Sequence, residues 1–391
     1  MVEKHMNRPY SKQKILFITS MPASHTNAIG IQTLHYADAL AAEWHHCYWD
    51  YGMGMSEVQN SYCLNSAIPR LWPFAAGRGF LFRQVERFRI GWWRGDRLIQ
   101  SRKHRLRALF KETGFAHVAP LGNAEATRCR EILEVLDCPF VMHLWDLLDS
   151  PLNADYAWLL LRAEHVFCLS ETMIRDIGAV AKCEASILAF VRPQSRYLAE
   201  YSGSDTVVIG LVGFLTSYQD GLHLLSTAVE RLRKSGVKVR IRYIGLPGQL
   251  RYIPEHLIGL TEYVGFADDD QRDKALAGCS FGYLPGPLLP PEQDLRSRYS
   301  IPSRSADYMA VGLPVVAAAN AFSATSRFLA PIRNHGFFQV SEPSDFCVIT
   351  ERLREESMWK ESSQGCRSFF ELHFNKQFAL TELRSIAQRF L

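Results

Sequence analysis

Ile301-Pro-Ser-Arg-Ser-Ala-Asp-Tyr-Met-Ala-Val-Gly-Leu-Pro-Val-Val-Ala317 decides how this chain is read. Ser303 is a favoured N-cap residue and Gly312 a favoured residue just past a helix end, so the spacing predicts a helix of about two turns over 303–311. Pro314–Ala318 follows as a short apolar strand. A helix start that faces a cleft presents free backbone N–H groups and a partial positive charge, which suits an anion. Arg304 in the first turn is out of place in a purely structural helix, because the dipole disfavours a cation there; a bound phosphate reverses the local field. Asp307, one turn on, is placed to accept hydrogen bonds from a ribose. The plainer alternative is a core-packing helix with a surface arginine.

Working outward, short apolar strands alternate with amphipathic helices, the grammar of βαβ units on a parallel sheet. Lys14–Ser20 is the first strand, then come a loop with Pro22, Asn27 and Gly30 and a helix from about Ile31 to Glu43. Phe140–Leu144 and His165–Leu169 are later strands of the same half. The turn-rich stretch Glu200–Asp205 separates the halves, and the pattern restarts with Val207–Val212 as a strand and Gly221–Ser235 as a helix. The expected division is an N-terminal lobe over 1–198, a C-terminal lobe over 206–374 and a terminal helix over 375–391. Two α/β halves of this kind make a bilobal protein with a cleft between the lobes.

A length of 391 residues suits about two domains, at roughly 100–200 residues each. With 47% hydrophobic and 21% charged residues, wholesale disorder is excluded. Apolar runs such as Val207–Leu215 fall far short of the roughly 20 residues that span a bilayer, and the polar start has no apolar signal core, so a cytoplasmic location is expected. The nine cysteines are scattered singly without C-x-x-C spacing, which gives no support to a zinc site or redox dithiol. Asp268-Asp-Asp270 invites a metal reading, but its place before a helical run favours capping.

Charge is unevenly spread. The segment from Arg70 to Lys111 holds twelve Lys/Arg against Glu86 and Asp96, a charge of +10; since the chain carries +4, the remainder carries −6. Cations there interleave with aromatics, as in Arg83, Arg87, Arg89, Trp92, Trp93 and Arg94. That composition suits an anionic membrane surface, where each Lys/Arg contributes about 1 kcal/mol and Trp anchors the boundary. A solvated basic helix with its aromatics turned to the core is the alternative; nucleic-acid binding lacks any recognised module.

The 301–317 stretch resembles the P-S-K/R-x-x-E-Y-M-A-x-G-x-P-V-V segment of GT-B glycosyltransferases, above all glycosyltransferase family 4. The first strand with its Gly30 loop, Phe140-Val-Met-His-Leu-Trp-Asp146, Val166–Ser170, Tyr263-Val-Gly-Phe266 and His335–Val340 follow in the order that family implies. The likeness covers nearly the whole chain and is most specific over 299–317. It implies an α/β fold of two Rossmann-like lobes facing a central cleft, with the C-terminal helix crossing back to the first lobe. The second lobe would hold a nucleoside diphosphate sugar, UDP- or GDP-linked, and the first an acceptor, with no metal or other cofactor required.

By that resemblance Ser303, Arg304 and the Thr216 and Ser217 hydroxyls hold the diphosphate, Asp307 the ribose, and Gly265 and Phe266 lie near the base. Gly30 lies near the donor phosphate, while His143, oriented by Asp146, acts at the reacting sugar. Transfer with retention is expected, and the basic segment would tie the enzyme to a lipid-linked or cell-surface glycan acceptor at the inner membrane face. The chain also departs from the pattern. Tyr299 stands where the family has its first glutamate and Asp307 where it has the second, and the loop Gly213-Phe-Leu-Thr-Ser-Tyr-Gln-Asp-Gly221 lacks the usual Arg and Lys. Two rivals therefore stand beside a transferase: a GT-B nucleotide-sugar epimerase, and a non-catalytic partner of another glycosyltransferase.

Overall fold

The computed structural model describes residues 14–24, 28–40, 43–48, 61–63, 103–104, 106–145, 148, 151–203, 205–265 and 268–391. Asp146, Phe266 and the basic and aromatic residues Arg83, Arg87, Arg89, Trp92, Trp93 and Arg94 lie outside them. Contacts divide the chain into two units: the described parts of 1–167, 177–186 and 382–391, and those of 168–176 and 187–381.

The first unit is organised on a seven-stranded sheet. Its strands are β1 (Lys14–Thr19), β2 (Trp44–Tyr48), β3 (Ser61–Cys63), β4 (Thr113–Ala119), β5 (Phe140–Leu144), β6 (His165–Cys168) and β7 (Ala185–Ile187), in the order β3-β2-β1-β4-β5-β6-β7. β1 pairs in parallel with β2 and β4, and β4 with β5. Near-continuous apolar runs explain this: Ile15–Ile18 and Val141–Met142 are fully buried, as strands covered on both faces require. Helices α1 (Ala28–Leu40), α2 (Asn123–Leu136) and α3 (Ala154–Arg162) connect its strands, while α4 (Glu171–Ile177), between β6 and β7 in the chain, falls almost wholly in the second unit. Here α1 begins three residues before its expected start, which puts Gly30 inside the first turn and not in a loop. A Cβ at Gly30 would lie 2.4 Å from Pro22 O and 2.6 Å from Ser24 N, so the helix enters against the backbone of 22–24 and a side chain has no room.

The second unit carries a six-stranded, wholly parallel sheet. Its strands are β8 (Thr206–Val212), β9 (Lys238–Ile244), β10 (Thr261–Gly265), β11 (Phe281–Pro285), β12 (Val315–Ala318) and β13 (Phe337–Val340), in the order β10-β9-β8-β11-β12-β13. Order reverses at β8, the topological switch at which open α/β sheets place ligands. The intervening helices are α5 (Gln219–Lys234), α6 (Glu255–Ile258), α7 (Asp269–Ala277), α8 (Leu295–Tyr299), α9 (Arg304–Ala310) and α10 (Ala324–Phe328). They are followed by α11 (Pro343–Leu353), α12 (Glu356–His373), α13 (Lys376–Ala379) and α14 (Thr381–Gln388). Alternation along β12 sends Val315 and Ala317 into one core cluster and Val316 and Ala318 into the other, one on each face of the sheet.

The terminal stretch expected as one helix over 375–391 is two short helices, α13 and α14, instead. Phe374 is buried at the end of α12, and the Asn375 side chain accepts from Gln377 N at 3.0 Å to restart the chain as α13. The final segment then belongs to the first unit: Glu382 accepts from Ser186 Oγ at 2.6 Å, Arg384 Nε donates to Ala39 O at 3.0 Å, and Phe390 stacks on Phe115 at 5.8 Å.

Residues 187–199 are woven into the second unit. Ala199 N donates to Val311 O at 2.7 Å and Arg192 N to Phe374 O at 2.9 Å. The Arg192 guanidinium, 3% exposed, donates to Asp307 Oδ1 at 2.8 Å and Asp273 Oδ1 at 2.7 Å, while Arg272 approaches the same Asp307 oxygen at 3.2 Å. Two arginines on two carboxylates neutralise charges that would be costly to bury alone.

Candidate functional site

In the second unit α9 is fixed by Tyr308. That side chain is fully buried, its hydroxyl donates to Tyr283 O at 2.9 Å and accepts from Val212 N at 3.2 Å, and its ring occupies the space a Cβ at Gly282 would need. The sequence required glycine in β11 so that α9 could lie this close to the sheet. Gly312, with φ +72°, ends the helix as expected. Ser303 departs from expectation: its backbone is already helical and its side chain makes no capping bond.

With α9 anchored, Arg304 is placed one turn before Tyr308 and exposes 8% of its surface. Its Nη2 donates to Phe214 O at 2.9 Å and its Cζ lies 4.7 Å from the centre of the Tyr218 ring, so the guanidinium lies against the loop that follows β8. Nη1 is buried with no hydrogen-bond partner. A buried cationic donor without an acceptor has hydrogen-bonding capacity to spare, as do the Nε atoms of Arg192, Arg272 and Arg367.

The loop itself is held by a residue the sequence reading did not single out. Gln249 Oε1 accepts from Leu215 N at 2.9 Å, Thr216 N at 3.3 Å and Thr216 Oγ1 at 2.9 Å. Thr216, expected to offer its hydroxyl to phosphate, donates it to Gln249. From Ser217 it is the carbonyl that makes a contact, accepting from Arg296 Nη1. A side chain meeting a loop 33 residues earlier leaves no local signature, which is why Gln249 was not legible.

Asp307 shares its Oδ1 between Arg192 and Arg272, as described above. Gly265 closes β10 with φ +98°, and its carbonyl accepts from Gly245 N at 3.0 Å. Asp268 caps α7, accepting from Gln271 N at 2.8 Å, while Asp269 pairs with Arg272 and Asp270 with Arg196, so each member of the acidic triplet has a structural partner. Among the described residues no group of three His, Cys, Asp or Glu side chains is gathered to hold a metal.

Tyr299 donates to Asp176 Oδ2 at 2.6 Å, and Arg298 Nη2 donates to the same oxygen at 2.7 Å. Burial, with Asp176 beside it, pushes the Tyr299 hydroxyl up to about 12, so it stays protonated and donates. Burial opposes ionisation of Asp176, but the bonds from Tyr299 and Arg298 prevail and hold its carboxyl below the usual range. A carboxylate thus meets the tyrosine from a distant segment, a pairing that spacing along the chain does not reveal.

In the first unit His143 is fully buried near the end of β5. Its ring packs with Tyr36 at 5.7 Å, His117 at 5.6 Å, Trp145 at 5.1 Å and Phe167 at 5.8 Å. His117, also fully buried, has no hydrogen-bond partner on either ring nitrogen. His46 Nε2 lies 2.8 Å from Thr19 Oγ1, which itself donates to Met21 O, and Nδ1 accepts from Ala23 N at 3.4 Å. Gly30 and His143 therefore belong to this unit, and Thr216, Ser217, Gly265, Ser303, Arg304 and Asp307 to the other.

Two sheets of this kind, each wound as a Rossmann-like α/β unit, define a GT-B fold, and solved structures agree. The chain is similar to Anabaena HepE, solved with UDP and glucose, at TM-score 0.64 and 15% identity, covering 96% of this chain and 100% of that one. It is likewise similar to a glycosyltransferase from Rickettsia africae, at TM-score 0.64 and 11% identity over 97% and 99% of the two chains. The lipopolysaccharide outer core galactosyltransferase WaaB matches at TM-score 0.56 and 10% identity over 96% and 99%. No protein-family model and no curated protein matches the chain.

Proposed function

We propose that this chain is a family 4-like glycosyltransferase that moves a sugar from a UDP- or GDP-sugar to an acceptor with retention, requiring no metal. The observation that carries the proposal is the buried, unpartnered Nη1 of Arg304 at the loop after β8. Structures of similar fold hold UDP, as HepE does, and that supports a nucleotide donor. In this reading the bond from the anomeric carbon to the diphosphate oxygen breaks and a bond to the acceptor oxygen forms on the same face. The acceptor proton passes to the departing phosphate. Arg304 neutralises the charge that develops on the diphosphate, and holding the acceptor oxygen against the face the diphosphate leaves supplies much of the remaining acceleration. Ser303 would add its hydroxyl or backbone amide, Asp307 would offer Oδ2 to a ribose hydroxyl, and Gly265 with Phe266 would border the base. Gly30 brings backbone close to the donor phosphates. His143, near the end of β5, would act at the reacting sugar, with Asp146 as its orienting partner.

Incubation of the full chain with a panel of nucleotide sugars tests this. Slow release of nucleoside diphosphate from one or two donors is expected. Interconversion of the sugar without release would favour the epimerase reading, and failure to bind any donor the non-catalytic partner.

The basic, aromatic segment 70–111 is proposed to bind an anionic membrane surface and bring the enzyme to a lipid-linked or cell-surface glycan acceptor. No helix among the described residues is long and apolar enough to cross a membrane. Flotation with vesicles should retain the chain when they contain about 30% anionic lipid and release it in 0.5 M salt or with neutral lipid; retention indifferent to lipid charge would contradict the proposal.

A further inference from the structure

We propose that the donor's pyrophosphoryl group is gripped from the turn 294–300, with the Arg296 guanidinium and the Ser297 hydroxyl as positioning residues beside Arg304. This rests on the donor reading above. Four amides of the loop after β8 are already committed: Gly213 N to Ile244 O, Leu215 N and Thr216 N to Gln249, and Tyr218 N to Leu215 O. The loop brings no cation of its own; Asp220 is its one charged residue. A phosphate arriving at the ends of β8 and β11 must therefore find most of its donors elsewhere.

The turn 294–300 supplies them. Arg296 forks onto Asp294, with Nε at 3.2 Å and Nη2 at 2.7 Å, while Nη1 reaches Ser217 O. Asp294 accepts from Arg296 N at 2.7 Å and Ser297 N at 3.4 Å, so one carboxylate both starts α8 and aims the guanidinium. With its side chain 38% exposed, Arg296 is reachable, and with Arg304 it sets two guanidiniums near Tyr218, with Asp294 and Asp220 as the carboxylates that act on Arg296. Ser297 exposes 1% of its surface and its Oγ has no partner. It lines a pocket with Tyr218, Gly286, Arg296, Ala318 and Thr325, and no carboxylate borders that pocket. A guanidinium oriented by Asp294 and Ser217 with two of its five N–H donors to spare, an unsatisfied hydroxyl and small side chains fit a phosphate oxygen.

A purely structural Arg296 would strap the loop to the turn and nothing more, and nucleotide affinities separate the two roles. The full chain is titrated calorimetrically with UDP, UMP, GDP and GMP. Arg296→Ala is expected to weaken the diphosphate about 10- to 100-fold and the matching monophosphate less than about threefold. Arg296→Lys, which keeps the charge and loses the fork, should recover part of that loss, and Ser297→Ala should weaken the diphosphate about three- to tenfold. Equal weakening of di- and monophosphate, or an unchanged diphosphate affinity in Arg296→Ala and Ser297→Ala, would overturn the assignment. Should Arg296→Ala melt far below the parent chain, Ser297→Ala and Arg296→Lys carry the test. A parent chain that binds none of the four nucleotides would overturn the donor reading itself, and this inference with it.

Discussion

Arg304→Ala is expected to lower donor-dependent release of nucleoside diphosphate by on the order of 10²–10³-fold. The size follows from where the guanidinium lies. It exposes 8% of its surface, is oriented by Phe214 O and the Tyr218 ring, and has Nη1 left over for a ligand. An oriented, desolvated cation costs little reorganisation when charge builds on the leaving diphosphate. Removing it also deletes a bond to a carbonyl and a cation–π contact, which together contribute about 1–3 kcal/mol to folding. Melting of the variant is therefore measured beside its turnover. Arg304→Lys should retain part of the activity, because a point charge stabilises phosphate but does not span both Phe214 O and the ligand. Activity in Arg304→Ala within about threefold of the parent would remove the support on which the functional proposal stands.

Acidification is expected to destabilise the first unit well before ordinary carboxylates titrate. Burial lowers both His46 and His117 from 6.5 to about 3. Their surroundings explain why neither accepts a second proton. His46 Nδ1 accepts from Ala23 N, and Thr19 Oγ1, committed as a donor to Met21 O, must take the Nε2 proton, so His46 is a neutral ring in a fixed tautomer. His117 is enclosed by Phe17, Tyr36, His143 and Trp145. Between pH 6.5 and 3 the unfolded chain binds protons that the folded chain does not, so stability falls as pH falls, by about 1.4 kcal/mol per pH unit for each histidine. Two such groups amount to about 3 kcal/mol between pH 6.5 and 5. The effect fades as pH rises through 6.5 and is nearly gone by pH 7.5, where both states are almost wholly neutral at these rings. Burial also lowers His45 and His165, in the same unit, and adds in the same direction. Urea unfolding at pH 7.5, 6 and 5 checks this. The midpoint should fall steeply below pH 6.5, and His117→Phe, which keeps a ring of similar size, should remove a quarter to a half of the dependence. A midpoint constant from pH 7.5 to 5 would contradict it.

Much of the fold was legible because it is written in local periodicity. Phe140–Leu144 is the strand expected from its apolar run, and the strand expected at 207–212 gains one residue at its start. Helix ends marked by a residue with one conformational purpose also appeared where expected, as at Gly312 and Asp268. Less was legible where two distant segments share a duty. Gly30 looked like loop punctuation but serves a close approach of α1 to 22–24, and the terminal helix expected over 375–391 gave no warning of its break at Leu380. Arg192 sits in a stretch with no periodicity, and nothing local shows that it will be drawn between Asp273 and Asp307. At the candidate site the cationic residue was readable from an arginine in a helix's first turn. The Gln249 clasp on Thr216 and the pairing of Asp176 with Tyr299 depend on tertiary placement alone.

A crystal structure of the chain with a bound nucleoside diphosphate tests the central claim most directly. The account predicts phosphate oxygens within hydrogen-bond distance of Arg304 Nη1, at the carboxyl ends of β8 and β11 in the second unit. A diphosphate bound elsewhere, with that guanidinium nitrogen still unpartnered, would contradict it.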